Sequence, residues 1–365
     1  MRRRTALFAL FAFIACRESH PPIRIGLVSG LTGQTAAWGE AIRRGVDMAV
    51  ADANAKRKRP IGLVVEDDQG RPEQSAVAVE RLLSQNNVVA IIGCDTSGRS
   101  LAASPLAERA GVPMITPTAS APVVTRGKHF MFRICATDDG EARAVARLAR
   151  ERLHASRVVI LRDTKNDYSV GMAQTFTAAF TQSGGAIERV FDYAEGDNDF
   201  RGQLTAANAL HPDVLFVPGY YSDVAQIAIQ ARDLGIKIPL LGGSGWDSPK
   251  LLEIAGKETQ GCWFVSGARS ASPRFVEKFR ARYHTDPDAA NAEAYDAATI
   301  LCEAIARGGD NIDSRHLRDA IAATRDFHGA SGVITIGPDG NARKPLAVFR
   351  VEGGKFLESG TVAPP

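Results

Sequence analysis

Arg157-Val158-Val159-Ile160-Leu161 is an apolar run with no polar alternation, and an amphipathic stretch over 170–182 follows it directly. A strand reads this way when helices cover both faces of a parallel sheet. The alternation continues through strand 186–193, helix 199–209, strand 213–217, helix 223–234 and strand 238–242. In the last of these helices Val224, Ile227, Ala231 and Leu234 share one face. Before Arg157 the same pattern has already run once. Its strands are Ile23–Val28, Ile61–Glu66, Val88–Gly93, Pro113–Thr116 and Phe130–Ile134. Its helices carry Ile42, Val46, Ala49 and Ala53, then Ala76, Val79 and Leu83 after Pro72, then Arg99 to Ala110. Two βα series in one chain of 365 residues predict an α/β fold of two doubly wound parallel-sheet lobes.

No third series begins in the C-terminal third. Helices fit 273–284, 291–307 and 313–323, and Val333–Ile336 with Ala347–Val351 read as a hairpin around Pro338-Asp339-Gly340. Too few for a domain, these elements complete the two lobes, so the lobes are joined by a multi-strand hinge. The resulting division is 23–139 with 270–327 for one lobe, 140–269 with 328–357 for the other, and 358–365 as a tail.

The chain opens differently. Arg2, Arg3 and Arg4 precede an apolar run from Ala6 to Ala15, too short for the ~20 residues of a bilayer-spanning helix. It reads as a signal peptide over 1–15, with 16–22 as anchor and linker. Phe13-Ile14-Ala15-Cys16 resembles a bacterial lipobox, with Phe13 where Leu is usual, which makes Cys16 the lipid-bearing residue. The formal net charge of +3 equals the three leader arginines, so the mature chain is neutral and offers no electrostatic footprint for nucleic acid. Lys56-Arg57-Lys58-Arg59 reads as a solvated turn. With 45% hydrophobic and 23% charged residues, the composition excludes a disordered chain and a multi-span membrane protein. Besides Cys16, Cys94, Cys135, Cys262 and Cys302 remain, and their spacing selects no pairing. No C-x-x-C or His cluster points to a metal, and no cofactor motif is complete.

Enzyme signatures fail one by one. Gly26 to Gly33 lacks G-x-G-x-x-G, and Gly242-Gly243-Ser244-Gly245-Trp246 misses the nucleophile elbow by one glycine. Asp67-Asp68 and Asp138-Asp139 read as loop caps. Polar chemistry gathers instead at strand C-termini, where ligands bind in open parallel sheets. Asp95-Thr96-Ser97-Gly98 follows one strand and Pro117-Thr118-Ala119-Ser120 another. Hydroxyls and free N–H groups at a helix start hold a carboxylate without a cationic side chain. Singly, each of these residues also fits a cap or a turn. Trp38, Tyr168 and Tyr220 stand at corresponding loop ends and together point to a shared ligand wall.

These stretches resemble the leucine/isoleucine/valine-binding proteins, ABC-importer receptors of the type I periplasmic-binding-protein fold. The likeness runs through Ile25-Gly26 to Gly33, Glu66-Asp67-Asp68-Gln69 and Gly111 to Pro117. It continues through Phe132-Arg133 with Thr137-Asp138-Asp139, Asp197-Asn198-Asp199-Phe200 and Gly242 to Leu251. By that resemblance Ser97, Thr118 and Ser120 hold a carboxylate, Trp38 and Tyr168 form an aromatic wall, and Tyr220 faces an amino group. The family's ammonium-binding Glu is replaced by Ser244, with Asp247 as substitute if its loop turns inward. Gly70 and Thr96 stand where relatives carry a disulfide. The resemblance implies a non-enzymatic periplasmic receptor that closes on a small polar ligand, serves an inner-membrane ABC permease, and touches the membrane only through its anchor. A ligand-sensing module on the same fold is the alternative.

Overall fold

The computed structural model describes residues 21–267, 272–309 and 312–362; the leader and Cys16 lie outside them. The first βα series forms β1 (Ile23–Ser29), α1 (Ala36–Asn54), β2 (Ile61–Asp67), α2 (Pro72–Ser84), β3 (Ile91–Ile92), α3 (Ser97–Ala110), β4 (Met114–Thr116) and β5 (Met131–Arg133). Its strands make an all-parallel sheet in the order β2-β1-β3-β4-β5. After β5 the chain crosses to the second lobe. There it forms α4 (Asp138–Glu151), β6 (Arg157–Asp163), α5 (Asp167–Gln182), β7 (Ala186–Tyr193), α6 (Arg201–Asn208), β8 (Val214–Phe216), α7 (Tyr221–Asp233), β9 (Leu240–Gly242), α8 (Pro249–Ala255) and β10 (Trp263–Gly267). The apolar strands sit where the sequence demands. Val158 to Leu161 and Val214 to Phe216 are buried, and Phe176 packs 4.2 Å from Phe216 and 5.3 Å from Phe180, ring centre to ring centre. Each such ring stabilises the fold by about 1.5–3 kcal/mol.

Past β10 the chain returns to the first lobe. α9 (Pro273–Tyr283) and α10 (Ala289–Arg307) come first, followed by α11 (Ser314–Ala322), β11 (Phe327–Gly329), β12 (Gly332–Ile336) and β13 (Ala342–Arg343). A capping box between Asp288 and Asn291 starts α10, which lies against α1 so closely that a Cβ at Gly45 would strike the Asn291 carbonyl. The chain then crosses a third time, at Lys344, into β14 (Leu346–Glu352) and β15 (Lys355–Val362). These two add antiparallel to β10, giving the order β15-β14-β10-β9-β8-β6-β7. The second sheet is therefore parallel at its centre with an antiparallel edge.

The C-terminal hairpin is a correction. Pro338-Asp339-Gly340 does turn the chain, but Ile336 and Thr335 pair with Ala342 and Arg343, while Ala347–Val351 joins the second sheet. Leu346 to Phe349 is buried throughout, and a small ribbon could not cover it. The β11–β13 ribbon, assigned from sequence to the second lobe from 328 onward, bonds to the first. Arg133 N donates to Gly340 O at 2.9 Å, and the backbone amides of Ala330 and Ser331 donate to Asp296 of α10 at 2.6 and 2.7 Å. Residues 358–362, assigned to a tail, complete β15. Strand 88–93 shortens to Ile91–Ile92. Cys94, Cys135, Cys262 and Cys302 are buried and unpaired.

Candidate functional site

In both sheets the first strand of the series lies inside, between its second and third: β1 between β2 and β3, β6 between β7 and β8. Strand order reverses at these points, and the loops leaving the strand ends part to leave a crevice. From the first lobe, the first turn of α1 after β1 brings Trp38, the start of α3 after β3 brings Ser97, and the loop after β4 brings Thr118 and Ser120. From the second, Tyr168 follows β6, Tyr220 follows β8, and Ser244 and Asp247 follow β9. All eight side chains proposed from the sequence line one narrow cavity between the lobes, in which a water molecule can centre itself within about 50 Å³. A larger, open groove of about 590 Å³ lies outside the first lobe, against α1, α9 and α10 and away from the strand ends.

The aromatic wall is continuous. Tyr168 and Tyr220 stack at 5.5 Å, and Trp38 meets Tyr220 and Tyr221 edge-on, each at 5.2 Å. Asn166 fixes the start of α5 by accepting from the amides of Tyr168 and Ser169, which aims Tyr168 into the cavity. Two bonds cross the gap between lobes: Trp38 Nε1 donates to Asp247 O at 3.2 Å, and the Tyr221 hydroxyl donates to Gln34 O at 3.0 Å. The lobes are thus closed. Trp246, named in the same loop, is wholly buried with its Nε1 on Val217 O and is absent from the cavity lining.

On the first lobe the hydroxyls knit the loops together. Ser97 Oγ accepts from Ala121 N at 3.1 Å rather than capping α3, and the Thr118 hydroxyl donates to Asp95 O at 2.6 Å. The buried Arg133 guanidinium donates to the carbonyls of Ser120 and Ala121, holding the loop after β4 in place.

Of the cavity's acids, sequence reasoning proposed only Asp247 as a ligand residue. Asp95, Glu141 and Glu293 also line the cavity, with Cys135 and Ser266. Asp95 pairs with Arg99 at 2.6 Å, and Arg99 continues to Asp68 at 3.1 Å. Glu293 accepts from Lys344 at 2.9 Å. Asp247 lies inward and accepts from the Ser266 hydroxyl at 2.8 Å. Glu141, in the first turn of α4, meets only neutral donors: Ser244 N at 2.5 Å and the Tyr168 hydroxyl at 3.3 Å. Burial, with the Asp138 charge one turn earlier, pushes its carboxyl up to about 8. Burial likewise raises Asp138 to about 7 and raises Glu293 and Asp95. A Cβ at Gly243 would collide with both the Glu141 carboxylate and the Tyr168 hydroxyl, so only glycine admits this arrangement. No Lys or Arg lines the cavity, and no group of His, Cys, Asp and Glu among the described residues could hold a metal.

A closed interlobe cavity at two strand-order reversals is the architecture of a solute receptor, and known proteins agree. A profile described as periplasmic binding protein matches residues 22–355. The chain belongs to the periplasmic binding protein family. It is 35% identical to a leucine-binding protein of Thermotoga maritima, with a TM-score of 0.90 over 94% of this chain and 99% of that one. A branched-chain amino acid binding protein of Streptococcus pneumoniae, solved with isoleucine, is 30% identical (TM-score 0.88; 94% and 100% covered). A solute-binding protein of an R. palustris ABC transporter, solved with benzoate, is 25% identical (TM-score 0.86; 94% and 97% covered). This periplasmic binding protein therefore has the type I fold and is a binding protein, not an enzyme. No described helix is long and apolar enough to cross a membrane.

Proposed function

We propose that the protein is the exported receptor of an ABC importer, and that it captures a small amino acid between its lobes. The observation that supports this most is the cavity wall itself. Hydroxyls of Ser97, Thr118 and Ser120 and the ring of Trp38 line the first-lobe side, stacked tyrosines line the other, and no cation lines either. Such a wall suits a carboxylate at one end and an apolar body beside the rings. Relatives solved with isoleucine and with benzoate both fit that pattern. The leader reading places the mature chain in the periplasm, held to the membrane through lipidated Cys16, where the closed lobes dock on the permease. One lobe comprises 23–139 with the segment from 272 to 343, the other 140–267 with 344–362, moving the last boundary from 328 to Lys344. Three crossings between them make the hinge, and its closure buries the ligand. Isothermal titration of the mature chain against amino acids and small carboxylates tests the reading. Heat and a thermal shift with one narrow class support it; silence across the panel removes it.

A further inference from the structure

The amino-acid reading leaves open which protein group meets the ligand's ammonium. Burying an ammonium without an anion is costly, so the cavity must offer one. Its acids differ in what already satisfies them. Asp95 faces Arg99, Glu293 faces Lys344, and Asp247 accepts from the Ser266 hydroxyl. Glu141 is buried against the cavity with an amide and a phenol for company and no cation. Once ionised, it can find a counter-charge only from outside. Gly243 supports the same conclusion, because its missing side chain leaves the space into which the carboxylate reaches.

Resting on the amino-acid reading, we infer that Glu141 receives the ligand's ammonium, a duty transferred from the loop at Ser244 to the first turn of α4, and that the receptor selects zwitterions over plain carboxylates through it. Glu141 Oε1 already touches Ser244 N, so the anion occupies the same corner of the cavity although it comes from another element. Capture then carries a proton balance. In the closed cavity burial raises the carboxyl to about 8, and pairing with the ammonium requires the carboxylate, so at neutral pH a ligand that fills the closed cavity displaces a proton to solvent. The surroundings favour protonation of the free form. Asp138 on α4 is acidic; Asp95, Asp247 and Glu293 face the cavity from the other elements; Tyr168 and Tyr220 stay neutral under burial. The nearest cations, Arg99, Lys344 and Arg133, are engaged with Asp95, Glu293 and the carbonyls of Ser120 and Ala121.

The experiment titrates wild type and Glu141→Gln with two matched series, neutral α-amino acids and the same acids lacking the amino group. Wild type should prefer the zwitterions. Its affinity should rise between pH 6 and 8, approaching tenfold per unit, with proton release visible as a buffer-dependent heat. Glu141→Gln should lose roughly 30-fold or more for zwitterions and change little for the des-amino series. The pH slope and proton release of wild type need no variant, so a misfolded Gln variant leaves the test intact. Equal zwitterion affinity in a folded Gln variant, a flat pH profile, or a preference for des-amino acids would overturn Glu141's role while solute capture stands. Silence from both series would remove the receptor reading and this inference together.

Discussion

Lys344→Met should unfold the hinge side of the molecule before it touches the ligand. Lys344 is buried at the third crossing and donates to Glu293 at 2.9 Å and to Ser331 Oγ at 2.8 Å. Removing it strands a buried carboxylate beside the cavity, a loss of about 3–5 kcal/mol for a pair of this kind. At about 2–4 °C per kcal/mol for units of this size, the melting temperature should fall by roughly 6 °C or more. The deficit depends on pH with a fixed sign. Burial already raises Glu293, and losing Lys344 raises it further. A folded-state carboxyl above its unfolded value loses stability as pH climbs from the unfolded value through the folded one. The variant should therefore suffer most near pH 8 and least near pH 5. A double variant, Glu293→Leu with Lys344→Met, should recover most of the loss, because two apolar groups replace the pair without an orphan charge. Denaturant melts of the four proteins at both pH values make the measurement. A double variant as unstable as the sum of the singles, or a deficit larger at pH 5, would refute the reasoning.

Tyr168→Phe removes the hydroxyl that donates to Glu141 and accepts from Gly245 N; stability should drop by about 1–3 kcal/mol in chemical denaturation, since buried groups lose their partner. Gly243→Ala drives a methyl into the Glu141 carboxylate and the Tyr168 hydroxyl. Circular dichroism should show an intact fold while calorimetry shows amino-acid affinity weakened by tenfold or more. The thiols of Cys94, Cys135, Cys262 and Cys302 are buried and pushed up in pKa by that burial. They should resist a thiol reagent in the native protein and all react after unfolding under non-reducing conditions.

The βα series was legible because buried parallel strands need runs of Val, Ile and Leu, which leave a plain mark in sequence. The turn at Pro338-Asp339-Gly340 was legible too, but two apolar stretches followed it and nothing local says which one pairs back. Burial decides: Leu346 to Phe349 goes where a sheet can cover it. Trp38, Ser97, Thr118, Ser120, Tyr168 and Tyr220 could be named from sequence because strand ends converge by topology. Glu141 could not, because its partner Ser244 lies 103 residues away and a three-dimensional corner joins them. The signal that could have found it is the acidic start of α4, Asp138, Asp139 and Glu141. The sequence alone singles out only the first two, as loop caps.

The late return of the chain to its first lobe also governs how the molecule can be made. α1 finds its cover only when α10 arrives, 250 residues downstream between Asn291 and Ala41. A nascent chain must therefore make α4 to β10 of the second lobe while the apolar face of the first stands open. That waiting period is when aggregation is most probable. Neither lobe is a contiguous stretch that could be synthesised by itself, so an order of assembly is written into the crossings: the first lobe is sealed when α10 is made, and the second sheet receives its last two strands, β14 and β15, only after that.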